Sequence, residues 1–252
     1  RAFKLLYENP RSRLIGHDDL LASMDAHNVE KSICLSFQWE DPEDCYRENE
    51  YILKSAADSG GRIVPFGMIS ENEKDPKARA GELAHAGFEG VGEIAFYEDG
   101  LNGNKDNYLT SLFEGCMENN LIVMLHVNEP VGKKYPGKTS TDFEFLTGLI
   151  SGFPDLKLIC AHWGGGLFAY ELIKGISDVC TNVYYDCAAS PYVYDRRIYE
   201  TAISAIGSDR IIFGSDYPLI SPDRYYRELT GIPVELRNKI LYDNAKKLLG
   251  RE

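Results

Sequence analysis

Three apolar runs in this chain end in a residue that can bind a metal ion. Residues 121–126 read Leu-Ile-Val-Met-Leu-His, residues 156–162 Leu-Lys-Leu-Ile-Cys-Ala-His, and residues 210–216 Arg-Ile-Ile-Phe-Gly-Ser-Asp. Packing alone does not account for polar residues at three such positions, because a carboxylate or imidazole closing an apolar strand is costly unless it is paired or coordinated. Neutral imidazole nitrogen and carboxylate oxygen together suit one divalent cation. Zinc, manganese and iron all fit these donors. Such a cation lowers the pKa of a bound water toward neutrality and polarises carbonyl oxygens.

The neighbours of these residues sharpen their roles. His162 is followed by Trp163 and then Gly164, Gly165 and Gly166; glycines there let backbone approach a ligand and turn sharply. Asp216 precedes Tyr217-Pro218, with Pro222 close behind, so a loop follows it rather than a helix that it would cap. It is a candidate metal ligand, a candidate general base, or both. Glu93 lies within Gly90-Val-Gly-Glu-Ile; it can ligate metal, orient a ligand histidine, or pair with a cation inside the fold. Asp186, in Tyr184-Tyr-Asp-Cys187, reads as an orienting or structural group. His17, His27 and His85 do not follow strands and read as surface or capping residues. No phosphate-binding glycine signature and no Gly-x-Ser-x-Gly nucleophile elbow is present.

The elements that must hold these residues alternate strand and helix about every 30 residues, the size of a βα unit. Strands are expected at 31–37, 62–70, 90–97, 121–127, 156–161, 183–189 and 210–215, with Pro65 weakening the second. Helices are expected at 18–28, 42–59, 76–86, 109–119, 142–151, 167–176, 197–206 and 233–249. This pattern predicts an α/β (β/α)8 barrel with active groups at the strand C-termini, formed by residues 1–252 as a single domain. Seven strands fall short of eight, and the first recognisable element is a helix. A first strand is therefore expected before Arg1.

The composition fits a globular enzyme: 252 residues, 44% hydrophobic, with a formal net charge of −12. That charge argues against nucleic acid or anionic membrane as partner. No apolar run reaches the length of a membrane span, and no leader is visible. Six cysteines without a Cys-x-x-Cys pair point to buried free thiols and a cytoplasmic setting. A homodimer is a common outcome for such a chain.

Taken in order, Gly90-Val-Gly-Glu, the strand ending in His126, Ala161-His162-Trp-Gly-Gly and Phe213-Gly-Ser-Asp216-Tyr-Pro resemble the amidohydrolase-related (amidohydrolase 2) family over nearly the whole chain. The branch resembled includes aminocarboxymuconate-semialdehyde decarboxylase and pyrone-dicarboxylate lactonase. The resemblance implies a distorted barrel with one divalent metal, usually zinc. It implies that His126 ligates the metal, that His162 acts beside the bound water, and that Asp216 contacts both. Glu93 falls where relatives carry a bridging lysine, so a carbamate-bridged pair of metals is not expected. The family's first strand supplies a His-x-His pair that this sequence lacks, in agreement with the strand count.

The leading expectation is hydrolysis of a small molecule by a metal-activated water, with Asp216 moving the proton and His162 stabilising the oxyanion. Non-oxidative decarboxylation of an aromatic or unsaturated carboxylic acid uses the same parts. A non-catalytic ligand- or partner-binding barrel is the reading from another class. Trp39, Tyr97, Trp163, Tyr192 and Tyr194 near strand ends suggest an aromatic or planar substrate. The basic loop 132–138 is either a lid meeting an acidic substrate or a solvated surface loop.

Overall fold

The computed structural model describes residues 2–7 and 13–251. Seven parallel strands form one sheet in unbroken sequence order. They are β1 (Ser32–Cys34), β2 (Ile63–Gly67), β3 (Gly90–Ile94), β4 (Ile122–Leu125), β5 (Leu158–Cys160), β6 (Val183–Asp186) and β7 (Ile211–Ile212). All seven expected strands are present, each shorter than its apolar run because the run continues into the turn at the strand end. Pro65 stands inside β2, where its carbonyl still accepts the Glu89 N–H at 3.0 Å.

Strand periodicity sorts the side chains into two layers. Val64, Phe66, Ile122, Ile159 and Ile212 face inward and pack with Leu248. Their alternates, among them Val91, Val123, Leu125, Leu158, Cys160, Val183 and Ile211, join the larger core beneath the helices. That is the arrangement of a (β/α)8-type barrel drawn with seven strands. No pairing joins β1 to β7 among the described residues. A cavity of about 1570 Å³ opens there, lined by Ile33 and Leu35 on one side, Ile212 and Phe213 on the other, and Met124 from within. The first strand, expected before Arg1, is not among the described residues.

The outer edge of β7 is covered from within the chain. Phe213 N–H donates to the Ile240 carbonyl at 2.8 Å. The Asn244 amide donates to the carbonyls of Ser208 and Ile211 at 2.6 and 2.7 Å. Both partners come from the C-terminal helical region, which runs Val234–Asn238, a π turn at Lys239–Asp243, then Asn244–Leu248. Elsewhere the long helices Pro42–Asp58, Pro76–Ala86, Asp106–Glu118 and Phe143–Gly152 follow their expected positions. The segment expected as one helix at 167–176 divides into Leu167–Tyr170 and Ile176–Val179, because Gly175 adopts φ 89° between them. Three short helices, Ala2–Tyr7, Ser190–Val193 and Pro222–Glu228, are too brief to leave a periodic signal. None of the described helices is long and apolar enough to cross a membrane. All six cysteines are free.

Beneath β6 and β7 a buried ion pair locks the strand N-termini. Arg210 places Nη1 and Nη2 at 2.9 and 2.5 Å from the two Glu171 oxygens, and Nη1 also donates to the carbonyls of Cys180 and Val183. Tyr185 Oη donates to Glu171 at 2.6 Å. Removing one partner of such a pair leaves an uncompensated charge, at a cost of about 3–5 kcal/mol. Glu171→Ala is expected to lower unfolding free energy by that order in urea denaturation. A loss below about 1 kcal/mol would show that the pair is screened by water.

Candidate metal centre

Glu93 reaches the barrel mouth because β3 carries a bulge. Val91 pairs with Val123 and Ile94 with Leu125, so two residues of β3, Gly92 and Glu93, stand opposite Met124 alone. The extra residue turns Glu93 from the helix layer, where Val91 and Ile94 lie, toward the interior. Gly92 is required there. Its φ is 137°, and a Cβ at this position would lie 2.3 Å from the Met124 carbonyl oxygen. Gln38 ties the neighbouring strand ends together: its Oε1 accepts the Ala95 N–H at 2.8 Å and its Nε2 donates to the Ile69 carbonyl at 2.8 Å.

His126 follows β4 directly, its backbone N–H donating to the Ile94 carbonyl at 2.8 Å. His162 follows β5 in left-handed backbone, φ 58°, and Trp163 repeats it at φ 59°. Conformations of this kind cost roughly 1–3 kcal/mol each and persist where surrounding structure imposes them. The Asp186 carboxylate imposes this one, accepting the N–H of His162 at 2.8 Å and of Ala188 at 3.0 Å. Trp163 is fully buried and donates from Nε1 to Ser190 Oγ at 2.6 Å. It anchors the turn and is not a pocket residue. Gly165 lets the turn press against the loop after β4, since a Cβ there would lie 2.3 Å from the Asn128 carbonyl oxygen.

These devices bring three ligand atoms together. Glu93 Oε1 lies 2.7 Å from His126 Nδ1 and 3.1 Å from His162 Nε2, and the two ring nitrogens are 3.1 Å apart. The three donor atoms all lie within 4.8 Å of one another. Two imidazoles and one carboxylate turned toward a common point form a donor set suited to a divalent transition metal. The set fits the cation that the sequence led us to expect.

Electrostatics describe how the cluster holds protons. Burial works against the charged His162 ring, but Glu93 beside it, with Asp186 and Asp216 further off, pushes its pKa up to about 10. Burial also disfavours Glu93 as an anion, yet His126 and His162 hold its carboxyl well below the usual range. Burial raises Asp186 to about 6 against the pull of His162. Asp216 enters the same cavity at φ 54° but stands apart from the tight group. Its deep setting raises its pKa, His162 lowers it, and Glu93 raises it again.

The expected site residues thus fall into two sets. Glu93, His126 and His162 converge, while Asp216 faces them across the cavity. Gln38, Phe37 and Tyr7 were not signalled by motif or spacing. The basic loop, read as either a lid or a solvated surface loop, is partly neutralised: Lys138 Nζ lies 2.6 Å from Glu129 Oε1 and donates to the carbonyls of Val131 and Lys133. Lys133 and Lys134 stay exposed.

The amidohydrolase family model matches residues 5–251. Among curated proteins, the 2-amino-3-carboxymuconate-6-semialdehyde decarboxylase of Caenorhabditis elegans is 31% identical over 117 residues, covering 38% of this chain. The match spans only 28% of that relative's own length. Of solved structures, 2,6-dihydroxybenzoate decarboxylase from Rhizobium superposes with a TM-score of 0.74 at 21% identity, over 98% of this chain and 94% of that one. A dihydroxybenzoic acid decarboxylase from Polaromonas, with bound manganese and the inhibitor 2-nitroresorcinol, gives 0.72 at 22% identity over 95% and 87%. At these identities the structural likeness establishes the fold.

A metal ion must displace the proton shared by His162 and Glu93. Manganese binding is therefore expected to release about one proton per ion at pH 7 and to weaken as pH falls. Calorimetry in buffers of different ionisation enthalpy measures that proton. Binding that is independent of pH between 6 and 8 would remove these residues as the site. Glu93→Ala and His126→Ala should each weaken the ion at least about tenfold, read by the same titration.

Proposed function

The chain belongs to the amidohydrolase family, and from that premise we propose that it is a divalent-metal-dependent decarboxylase of a small aromatic carboxylic acid. The observation that carries this reading is the contact between the ligand cluster and an aromatic wall. The Tyr97 ring lies 5.4 Å from the ring of His126. Phe37 stacks on Tyr97 at 5.5 Å and 7°, and Trp39 meets Phe37 at 5.1 Å. A planar acid fits such a wall with its carboxylate toward Glu93, His126 and His162. The relatives described above that carry a named activity are decarboxylases, which favours this reading over the hydrolysis expected first.

In this proposal Glu93, His126 and His162 would hold the ion, and Asp216 stands off it as the proton carrier. When bound, a divalent ion supplies Lewis acidity to the substrate's oxygens. Manganese is the first choice because one structural neighbour contains it, and zinc is the second. The chain's own residues do the rest. Phe37 and Tyr97 hold the plane of the ring. Asp186 and the Ala188 carbonyl, 3.3 Å from His162 Nδ1, fix the orientation of His162. Asp216, whose raised pKa lets it keep a proton longer than an ordinary aspartate, gives that proton to the ring carbon. The bond from this carbon to the carboxylate breaks, its electron pair forms the new C–H bond, and carbon dioxide leaves.

The test is carbon dioxide release by the manganese- or zinc-loaded protein from a panel of benzoates and unsaturated acids. Asp216→Asn is expected to lower kcat by about 10²–10⁴-fold while leaving the fold intact by circular dichroism. No carbon dioxide from any acid, together with turnover of lactones or amides, would replace decarboxylation with hydrolysis.

A further inference from the structure

The bulge that turns Glu93 inward interrupts the sheet on one side of β3. Toward β4 the pairing continues as far as Ile94 with Leu125, and the His126 N–H reaches the Ile94 carbonyl. Toward β2 it stops earlier, after Phe66 with Gly90 and Gly67 with Val91. Past those pairs the segments leaving β2 and β3 find side-chain partners. Asn49 accepts the Met68 N–H at 2.7 Å and donates to the Met68 carbonyl at 2.8 Å. Gln38 bridges the two segments: it accepts the Ala95 N–H and donates to the Ile69 carbonyl, both at 2.8 Å. A primary amide offers the same N–H and C=O groups as a peptide unit, so the Gln38 side chain stands where the β2–β3 ladder would otherwise continue. The amide also donates to Tyr108 Oη at 3.2 Å, and Tyr108 donates to the Ile69 carbonyl at 2.9 Å. Gln38 is buried, so a peptide group deprived of its amide is not simply handed to bulk water.

We propose that Gln38 is a positioning residue for Glu93: it pins the backbone two residues beyond the carboxylate and so fixes where that ligand meets His126 and His162. The inference rests on the metal-centre reading of the cluster and adds to it the group that sets its geometry. Two constraints bracket Glu93. On one side Gly92, at φ 137°, lies against the Met124 carbonyl; on the other, Ala95 is tied to Gln38. Between them Glu93 Oε1 comes to 2.7 Å from His126 Nδ1 and 3.1 Å from His162 Nε2. A ligand set works only when its members are held within about 0.5 Å of the required geometry. The Ala95 anchor supplies that restraint from the β2 side, where the backbone ladder has ended. The two histidines are held by other means, through their own N–H groups to the Ile94 carbonyl and the Asp186 carboxylate. Glu93 is therefore the ligand whose placement Gln38 governs, although the amide touches none of the three donor atoms.

Calorimetric titration of manganese into metal-free wild type, Gln38→Met and Tyr108→Phe tests the role, with urea denaturation as the measure of stability. Methionine keeps the length of the side chain and removes its amide. Phenylalanine removes a hydroxyl from the same network without touching Ala95. Both variants are expected to denature at lower urea than wild type. Only Gln38→Met should also lose manganese affinity, by roughly ten- to hundredfold, while Tyr108→Phe keeps the wild-type value. If Gln38→Met does not fold by circular dichroism, Gln38→Asn, whose amide ends one methylene short of Ala95, takes its place with the same expectation. Failure of both to fold assigns Gln38 to stability and overturns the positioning role. Wild-type affinity in the folded Gln38 variant, or an equal loss in Tyr108→Phe, overturns it as well and leaves the ligand assignment standing. Wild type that binds no manganese removes the ligand assignment itself, and the positioning role with it.

Discussion

The candidate site depends on one extra residue in β3. In a regular strand Glu93 would alternate to the helix side with Val91, which is fully buried among apolar neighbours. A carboxylate there would be unpaired and costly. The bulge opposite Met124 moves it to the interior face, where His126 and His162 meet it. The bulge in turn depends on Gly92, because no side chain fits between that Cα and the Met124 carbonyl. A single glycine therefore decides whether the one acid of the cluster faces the helix layer or the two histidines.

Strain concentrates at the C-terminal ends of the strands and stabilisation at their other ends. His162, Trp163, Ala189 and Asp216 all adopt positive φ in the turns that leave β5, β6 and β7. The groups that fix these turns are few and buried: the Asp186 carboxylate, Ser190, which takes the Trp163 N–H and donates to the Cys187 carbonyl at 2.6 Å, and Tyr225, which donates to the Ser215 carbonyl at 2.9 Å. At the opposite ends of β6 and β7, Arg210, Glu171 and Tyr185 form a network with no role at the mouth. This division is the usual one in parallel barrels, where loops at one face carry function and the other face carries stability.

Much of this was legible in the sequence, for reasons that also explain what was not. Apolar runs mark strands whichever way their ends point, so all seven strands and the positions of His126, His162 and Asp216 could be read directly. Glu93 was visible as a candidate, but the two-residue period gives its side chain the wrong face, and only the three-dimensional bulge corrects it. Trp163 looked like a pocket aromatic because it follows a strand end; the left-handed backbone at that position turns it into the core instead. The lysines of the loop after β4 read as free charge, since nothing in their spacing reveals that Glu129 folds back onto Lys138. Tyr7 sits on a six-residue helix, shorter than two turns, and no periodicity announces it.

The charge pattern ties metal and substrate together. The chain carries a net charge of −12, and Glu93, Asp186 and Asp216 all lie near one point of the cavity, so the bare mouth is unfavourable to an organic anion. His162 balances part of that charge by holding a proton against Glu93. Exchanging this proton for a divalent ion adds one net positive charge at the same place, without moving any side chain away from the aromatic wall. Local charge of this kind dominates a site more than the overall balance of the protein does. An acidic chain and the proposed acidic substrate are then compatible for a physical reason: the residues proposed to gather the cation are also those that would otherwise repel the acid.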